Sequence, residues 1–310
     1  MNVRFWGVRG SYPVPGPSTN RFGGNTSCVQ VVPSNGALLI IDGGTGIRRL
    51  GKELMAGAFR QGLGTCHLLI SHTHWDHIQG LPFFAPLYVA GNQINIYARQ
   101  REVHLNTIFC SQTADPYFPV SLEDVAAQVT YTDLADGARF AAGGVQVRCA
   151  RLNHPFIAIG YRIDADGSSI AYVSDTGPFS DVLLEHEYIA SRPDLSLPPL
   201  QPDAAKLQAM RAGVVDLCRG CDLVIYDTMF RMDEYLTRPH WGHSSPEHAL
   251  EICHEAGAGC LVLFHHAPDR SDADVEEHLV TARRGARLRV LAAAEGMEVE
   301  VDRGRLEVKP

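Results

Sequence analysis

Five times along this chain a short apolar run ends on, or just before, a histidine or an aspartate. Leu68-Leu69-Ile70-Ser71 leads into His72, and the run ending at Leu152 leads to His154. Ile170-Ala171-Tyr172-Val173-Ser174 leads into Asp175, Leu223-Val224-Ile225-Tyr226 into Asp227, and Leu261-Val262-Leu263-Phe264 into His265. Short apolar, β-branched runs of this kind read as buried strands. Chemistry-bearing side chains at strand ends sit on loops that a rigid sheet holds in place.

The rest of the pattern is layered. Val3–Gly7, Ser27–Val32, Leu38–Asp42 and His67–Ser71 read as strands in the first half, with a helix over Ile47–Ala58 and a further strand at Ile94–Tyr97. Val145–Leu152, Ile157–Ile163, Ser169–Ser174, Leu223–Asp227 and Cys260–Phe264 repeat the theme, with helices over Lys206–Cys218 and Ser245–Ala256. Ser244-Ser245-Pro246-Glu247 is a helix start with proline at the first position. Closing strands follow at Arg287–Ala292, Glu298–Val301 and Arg305–Lys309, and Arg192–Pro202 reads as a proline-rich loop. Interleaved strands and helices with no flexible linker predict two face-to-face sheets with helices outside, one domain over residues 1–310.

His72-Thr73-His74-Trp75-Asp76-His77 places three imidazoles and a carboxylate in six residues. Neutral imidazole and carboxylate suit zinc and its borderline neighbours. Alternate residues at a strand end can face one metal, and the following turn can aim the next pair at a second. This run cannot complete two sites alone, so His154, Asp175 and one of the adjacent His265 and His266 are the further candidates. His104, His186, His248, His254 and His278 read as solvated. Cys218-Arg219-Gly220-Cys221 has no second CxxC and reads as structural.

Bulk properties narrow the partners. A net charge of −8 argues against a broad nucleic-acid surface. A small phosphate ligand stays compatible, because a bound metal supplies positive field locally. No export signal or membrane-length apolar run is visible, so the expectation is a cytoplasmic protein with eight reduced cysteines. A homodimer is compatible with the sequence.

These residues resemble the metallo-β-lactamase fold superfamily of hydrolases, over nearly the whole chain to about Asp269. The resemblance implies an α/β fold, a four-layer αββα sandwich. It implies two divalent metal ions, zinc first, with manganese or iron sharing the same ligand types. His72, His74 and His154 would hold one, Asp76, His77 and His265 the other, and Asp175 would bridge. Asp42, in Asp42-Gly43-Gly44-Thr45-Gly46, would support the histidine loop rather than bind metal. Gly242-His243-Ser244-Ser245 is similar to a motif of the phosphodiesterase branch, which includes tRNase Z and the phosphoribosyl cyclic phosphodiesterases. Asp227 would pair with His243; the shorter Asp stands where tRNase Z usually carries Glu. No basic arm like that of tRNase Z is found.

The resulting expectation is hydrolysis of a small phosphodiester, such as a cyclic nucleotide or cyclic ribose phosphate. Asp76 and the His243–Asp227 pair would be catalytic. A thioesterase or lactamase-like hydrolase on the same fold is an alternative that leaves that pair idle. A metal-containing binding or sensor protein is a third. Asn25, Phe118 and Trp241 are candidate substrate contacts, with Phe118 and Trp241 able to stack a base. Arg9 and Arg231 are further candidates for phosphate.

Overall fold

The computed structural model describes residues 1–100, 103–155, 157–180, 182–184 and 203–309. The strands are β1 (Asn2–Gly7), β2 (Cys28–Val32), β3 (Leu39–Ile41), β4 (Thr65–Leu69), β5 (Gln93–Arg99), β6 (Gln128–Leu134), β7 (Arg139–Ala142), β8 (Val145–Arg151), β9 (Ile159–Ala165), β10 (Ser168–Val173), β11 (Leu223–Asp227), β12 (Cys260–Phe264), β13 (Arg289–Ala292), β14 (Glu298–Asp302) and β15 (Arg305–Lys309). The helices are α1 (Ile47–Leu54), α2 (Trp75–Ile78), α3 (Leu105–Ser111), α4 (Ala204–Cys218), α5 (Met232–Thr237), α6 (Pro246–Ala256) and α7 (Asp272–Gly285).

Two mixed sheets form, in the orders β15-β14-β1-β2-β3-β4-β5-β6 and β13-β12-β11-β10-β9-β8-β7. Each has an antiparallel part and a parallel part. The parallel part runs from β3 to β6 in one sheet and from β10 to β13 in the other. The strand sequences show why these segments are buried on both faces. On β12, Cys260, Val262 and Phe264 join the core between the sheets, while Leu261 and Leu263 join the core under the helices. On β4, Leu69 faces the other sheet and Leu68 faces the helix side with Ile47 and Leu50 of α1. Period-two alternation with apolar residues on both sides is the pattern of a strand covered twice. Helices α4, α6 and α7 cover one sheet, and α1 and α3 cover the other. This is the expected αββα order.

Some elements differ from the sequence expectation. The β6–β7 connection, the hairpin of β7 with β8, and α7 were not anticipated. The first helix ends at Leu54 rather than Ala58. The run at 192–202 and His186 lie outside the described residues. His278 is buried on α7 rather than solvated. Burial lowers its pKa to about 3, with Arg270 and Arg231 adding to the effect. Cys218 and Cys221 are buried free thiols, and Cys221 is pushed up to about 11, mainly by burial. Among the described residues, no helix is long and apolar enough to cross a membrane.

Candidate metal centre

The C-terminal ends of parallel strands β3, β4, β10, β11 and β12 open on one edge of the sandwich. Ligand sites in α/β sheets lie outside such carboxyl ends. After β4 the chain turns at His74, which is extended (φ −65°, ψ 152°), and enters α2. That change of direction puts His72 and His74 on the strand side, with Asp76 and His77 on the first turn of the helix. Asp42 and His265 each immediately follow a strand end, with φ of 61° and 60°. Left-handed backbone in non-glycine residues is uncommon and tends to be kept where it aims a side chain.

Three candidate ligand groups share the Asp175 carboxylate. His72, His74, His154 and Asp175 form the first, and Asp76, His77, Asp175 and His265 the second. Within the first, His74 Nδ1 lies 2.9 Å from His72 Nε2 and 3.1 Å from His154 Nε2. Asp175 Oδ2 is 3.6 Å from His72 Nε2 and 3.9 Å from His154 Nε2. Its other oxygen, Oδ1, is 3.2 Å from both His77 Nε2 and His265 Nε2. Asp76 Oδ2 is 3.3 Å from His77 Nε2 and 3.1 Å from His265 Nε2. Asp175 therefore presents one oxygen to each of these two groups.

Groups behind the imidazoles fix their tautomers. Asp42 is fully buried and accepts four hydrogen bonds. They come from Ser71 N (2.7 Å), Ser71 Oγ (2.9 Å), Tyr172 Oη (2.7 Å) and His77 Nδ1 (2.7 Å). His154 Nδ1 donates to the Gly242 carbonyl at 2.9 Å. A neutral imidazole that donates from Nδ1 carries a lone pair on Nε2. Burial lowers His72 and His154 well below the usual histidine range and brings His74 to about 4. His77 differs. Burial opposes its charge, but Asp175, Asp76 and Asp42 raise its pKa. Its Nε2 nevertheless has no hydrogen-bond partner.

This donor set fits a pair of cations. Ring nitrogens of His72, His74 and His154 converge within about 3 Å of one another, an arrangement that suits a shared cation. Two buried carboxylates, Asp76 and Asp175, demand positive charge in the same space. Buried charges are tolerated when paired or metal-coordinated.

His243 and Asp227 form the third group with Asp175 and His265, beside the second. His243 Nδ1 donates to Asp227 Oδ2 at 2.9 Å. Asp227 also accepts from Met229 N (3.0 Å) and Thr176 N (3.2 Å). The His243 ring stacks on His265 with centroids 5.0 Å apart. Burial would lower the His243 pKa, but Asp227, through charge and hydrogen bond, raises it to about 9 with help from Asp175 and Asp76. The short Asp227 side chain reaches His243 without strain on the pairing distance.

Sequence reasoning missed the loop that covers Asp76 and His265. Ser11, with φ 62°, donates its N–H to Asp76 Oδ2 at 2.7 Å. At Gly10 a Cβ would fall 2.4 Å from His265 Cε1, so only glycine lets the loop pass. Arg9 anchors the loop from below. It is fully buried and donates to the carbonyls of Gly23, Ala267 and Arg270. The expected phosphate contact does not fit such a group; Arg9 is a structural tie. The Gly-rich setting of Arg9 was the available signal.

The remaining candidates are dispersed. Asn25 is held by Glu295 through its amide (2.9 Å) and its N–H (2.6 Å). Arg231 is exposed and pairs with Asp233 and Glu234. Phe118 packs edge-on against Phe83 with centroids 5.5 Å apart. Trp241 is 47 % exposed, next to Gly242. His266 turns away from the centre and donates to the Ala293 carbonyl.

Comparison with known proteins agrees with this fold. A family profile described as "Beta-lactamase superfamily domain" matches residues 39–195. A protein named ribonuclease Z from Haloarcula marismortui is 24 % identical, over 97 % of each chain. The solved metallo-beta-lactamase fold protein YhfI from Bacillus subtilis superposes with TM-score 0.64 at 18 % identity, covering 96 % of this chain and 97 % of that one. The short form of human tRNase Z gives TM-score 0.61 at 20 % identity, covering 97 % and 99 %.

Proposed function

The chain belongs to the beta-lactamase superfamily, and on that premise we propose that it is a metal-dependent hydrolase of phosphodiesters. The observation that carries this reading is the His243–Asp227 pair at 2.9 Å, set against the carboxylate shared by the ligand groups. A relative named ribonuclease Z over nearly the full length supports the same bond type.

His72, His74 and His154 would hold one divalent cation, Asp76, His77 and His265 a second, with Asp175 between them. When bound, such ions supply activation of water near neutral pH and charge for the phosphate oxygens. The protein's own part is positional. Asp42 keeps the His77 ring turned so that Nε2 faces the centre. The Gly242 carbonyl does the same for His154. Asp227 accepts from His243 Nδ1, which leaves Nε2 as the atom able to pass a proton to a leaving oxygen. Against the lowering effect of burial, the charge and hydrogen bond of Asp227 favour the protonated His243 ring. General-acid help of this sort is worth about 10²–10⁴-fold.

A substrate panel spanning phosphodiesters, thioesters and β-lactams tests the reading on protein reconstituted with zinc or manganese. Preferential phosphodiester turnover is expected. Turnover of thioesters or β-lactams alone would sink it, and tight cyclic-nucleotide binding without turnover would favour a sensor.

A further inference from the structure

Of the chain's three tryptophans, Trp6 is buried, while Trp75 and Trp241 are 74 % and 47 % exposed. Tryptophan is ordinarily well buried. Both exposed ones adjoin the candidate centre in sequence: Trp75 stands between His74 and Asp76, and Trp241 precedes Gly242 and His243.

Trp241 is placed by a chain of contacts. Gly242 has φ 78°, and a Cβ there would fall 2.4 Å from His154 Nδ1, so the backbone beside Trp241 lies against a proposed ligand. On the other side, Phe230 bridges Trp241 and His243. Its ring is 6.2 Å from Trp241 and stands edge-on to His243 at 5.6 Å. A single ring, Phe230, therefore separates the indole from the proposed proton donor. The Arg238 guanidinium lies 5.0 Å from the Trp241 ring centroid. Arg238 is exposed, and no carboxylate within ion-pair distance is found for it among the described residues. A cation resting on an indole without a counter-ion is an attractive field for an anionic, aromatic ligand. Phe118, by contrast, packs edge-on against Phe83.

We propose that Trp241, backed by Arg238, is the base-stacking platform of the substrate site, so that the scissile phosphodiester belongs to a nucleoside rather than to a base-free sugar. This rests on the phosphodiesterase reading and narrows its substrate class. Aromatic stacking is sequence-tolerant and worth about 1–3 kcal/mol per base, which converts to roughly five- to 150-fold in affinity.

The test is equilibrium binding of adenosine monophosphate and of ribose phosphate to zinc-reconstituted protein by calorimetry. Wild type is expected to bind the nucleotide at least about fivefold tighter than the sugar phosphate. Trp241→Ala should erase that preference and leave sugar-phosphate affinity in place, while Trp241→Phe should retain most of it. Equal affinities in wild type, binding of neither ligand, or a preference that survives Trp241→Ala would overturn the platform. The two readings fail separately. If the preference depends on Trp241 but no phosphodiester is turned over, hydrolysis falls and the platform stands. If nucleoside and base-free diesters are cleaved alike and the binding preference is absent, hydrolysis stands and the platform falls.

Discussion

Gly242 and His154 constrain each other through the same nitrogen. His154 Nδ1 donates to the Gly242 carbonyl at 2.9 Å, and a Cβ on Gly242 would lie 2.4 Å from that atom. The backbone there is left-handed, at φ 78°. Gly242→Ala adds both strain and a clash, and the group that must give way is His154. The expected result is metal affinity weakened about 10–100-fold, the usual range when an orienting partner of a ligand is lost. Zinc titration of the variant checks it; unchanged affinity would mean that His154 is not a ligand.

Asp42 should behave differently, because it organises several groups at once. Its carboxylate accepts from Ser71, His77 and Tyr172, all buried. Asp42→Asn keeps the shape but removes the charge and turns one acceptor into a donor. Breaking a buried charged pair costs about 3–5 kcal/mol. Urea unfolding of metal-free protein should show a loss of that order, and zinc affinity should fall with it. A variant as stable as wild type would remove Asp42 from this role.

What was legible in the sequence was local. His72 to His77 could be read because a buried strand ends just before it, and a strand end delivers its next residues to one edge. Asp175, Asp227 and His265 could be read for the same reason. Contacts made across long sequence distances left no local trace. Ser11 bonds Asp76, and Gly10 makes room for His265, more than two hundred residues away. Arg9 stood as a phosphate candidate because the three carbonyls that enclose it come from other loops and leave no mark beside it in the sequence. His278 misled because its helical position carries charged neighbours, although its own face of α7 is buried.

Arg9 yields a prediction about stability rather than substrate. Lysine cannot reproduce the fork that reaches the Gly23, Ala267 and Arg270 carbonyls. Arg9→Lys should lose about 2–4 kcal/mol, because hydrogen bonds from a charged donor contribute about 1.5–3 kcal/mol each and only some would be replaced. The loop it anchors carries Ser11, so zinc binding at the Asp76 side should weaken too. A raised KM with unchanged unfolding midpoint would restore the phosphate-contact role.

His278 makes stability depend on pH. Burial, then Arg270 and Arg231, lower its folded pKa to about 3, against about 6.5 in an unfolded chain. Below about pH 6.5 the unfolded chain takes up a proton that the folded one refuses, so this contribution is present above that value and is lost as pH falls toward about 3. His278→Gln removes the titration. Measured on metal-free protein, wild type should lose more stability than the variant between about pH 7.5 and about pH 5. Parallel losses would show that His278 is protonated in the fold.

His243 and Asp76 separate chemistry from metal binding. His243 donates to Asp227 and stacks on His265, but the first two ligand groups are complete without it. His243→Ala should therefore keep its zinc content, by elemental analysis, and lose about 10²–10⁴-fold in phosphodiester turnover. Asp227→Asn should follow the same direction with a smaller loss, since the ring remains but its tautomer is no longer held. Asp76→Ala should instead lose metal, because it leaves His77 and His265 without the oxygen that lies 3.3 and 3.1 Å from them. Full turnover in His243→Ala would dismiss the proton-donor role, and full zinc content in Asp76→Ala would dismiss the second ligand group.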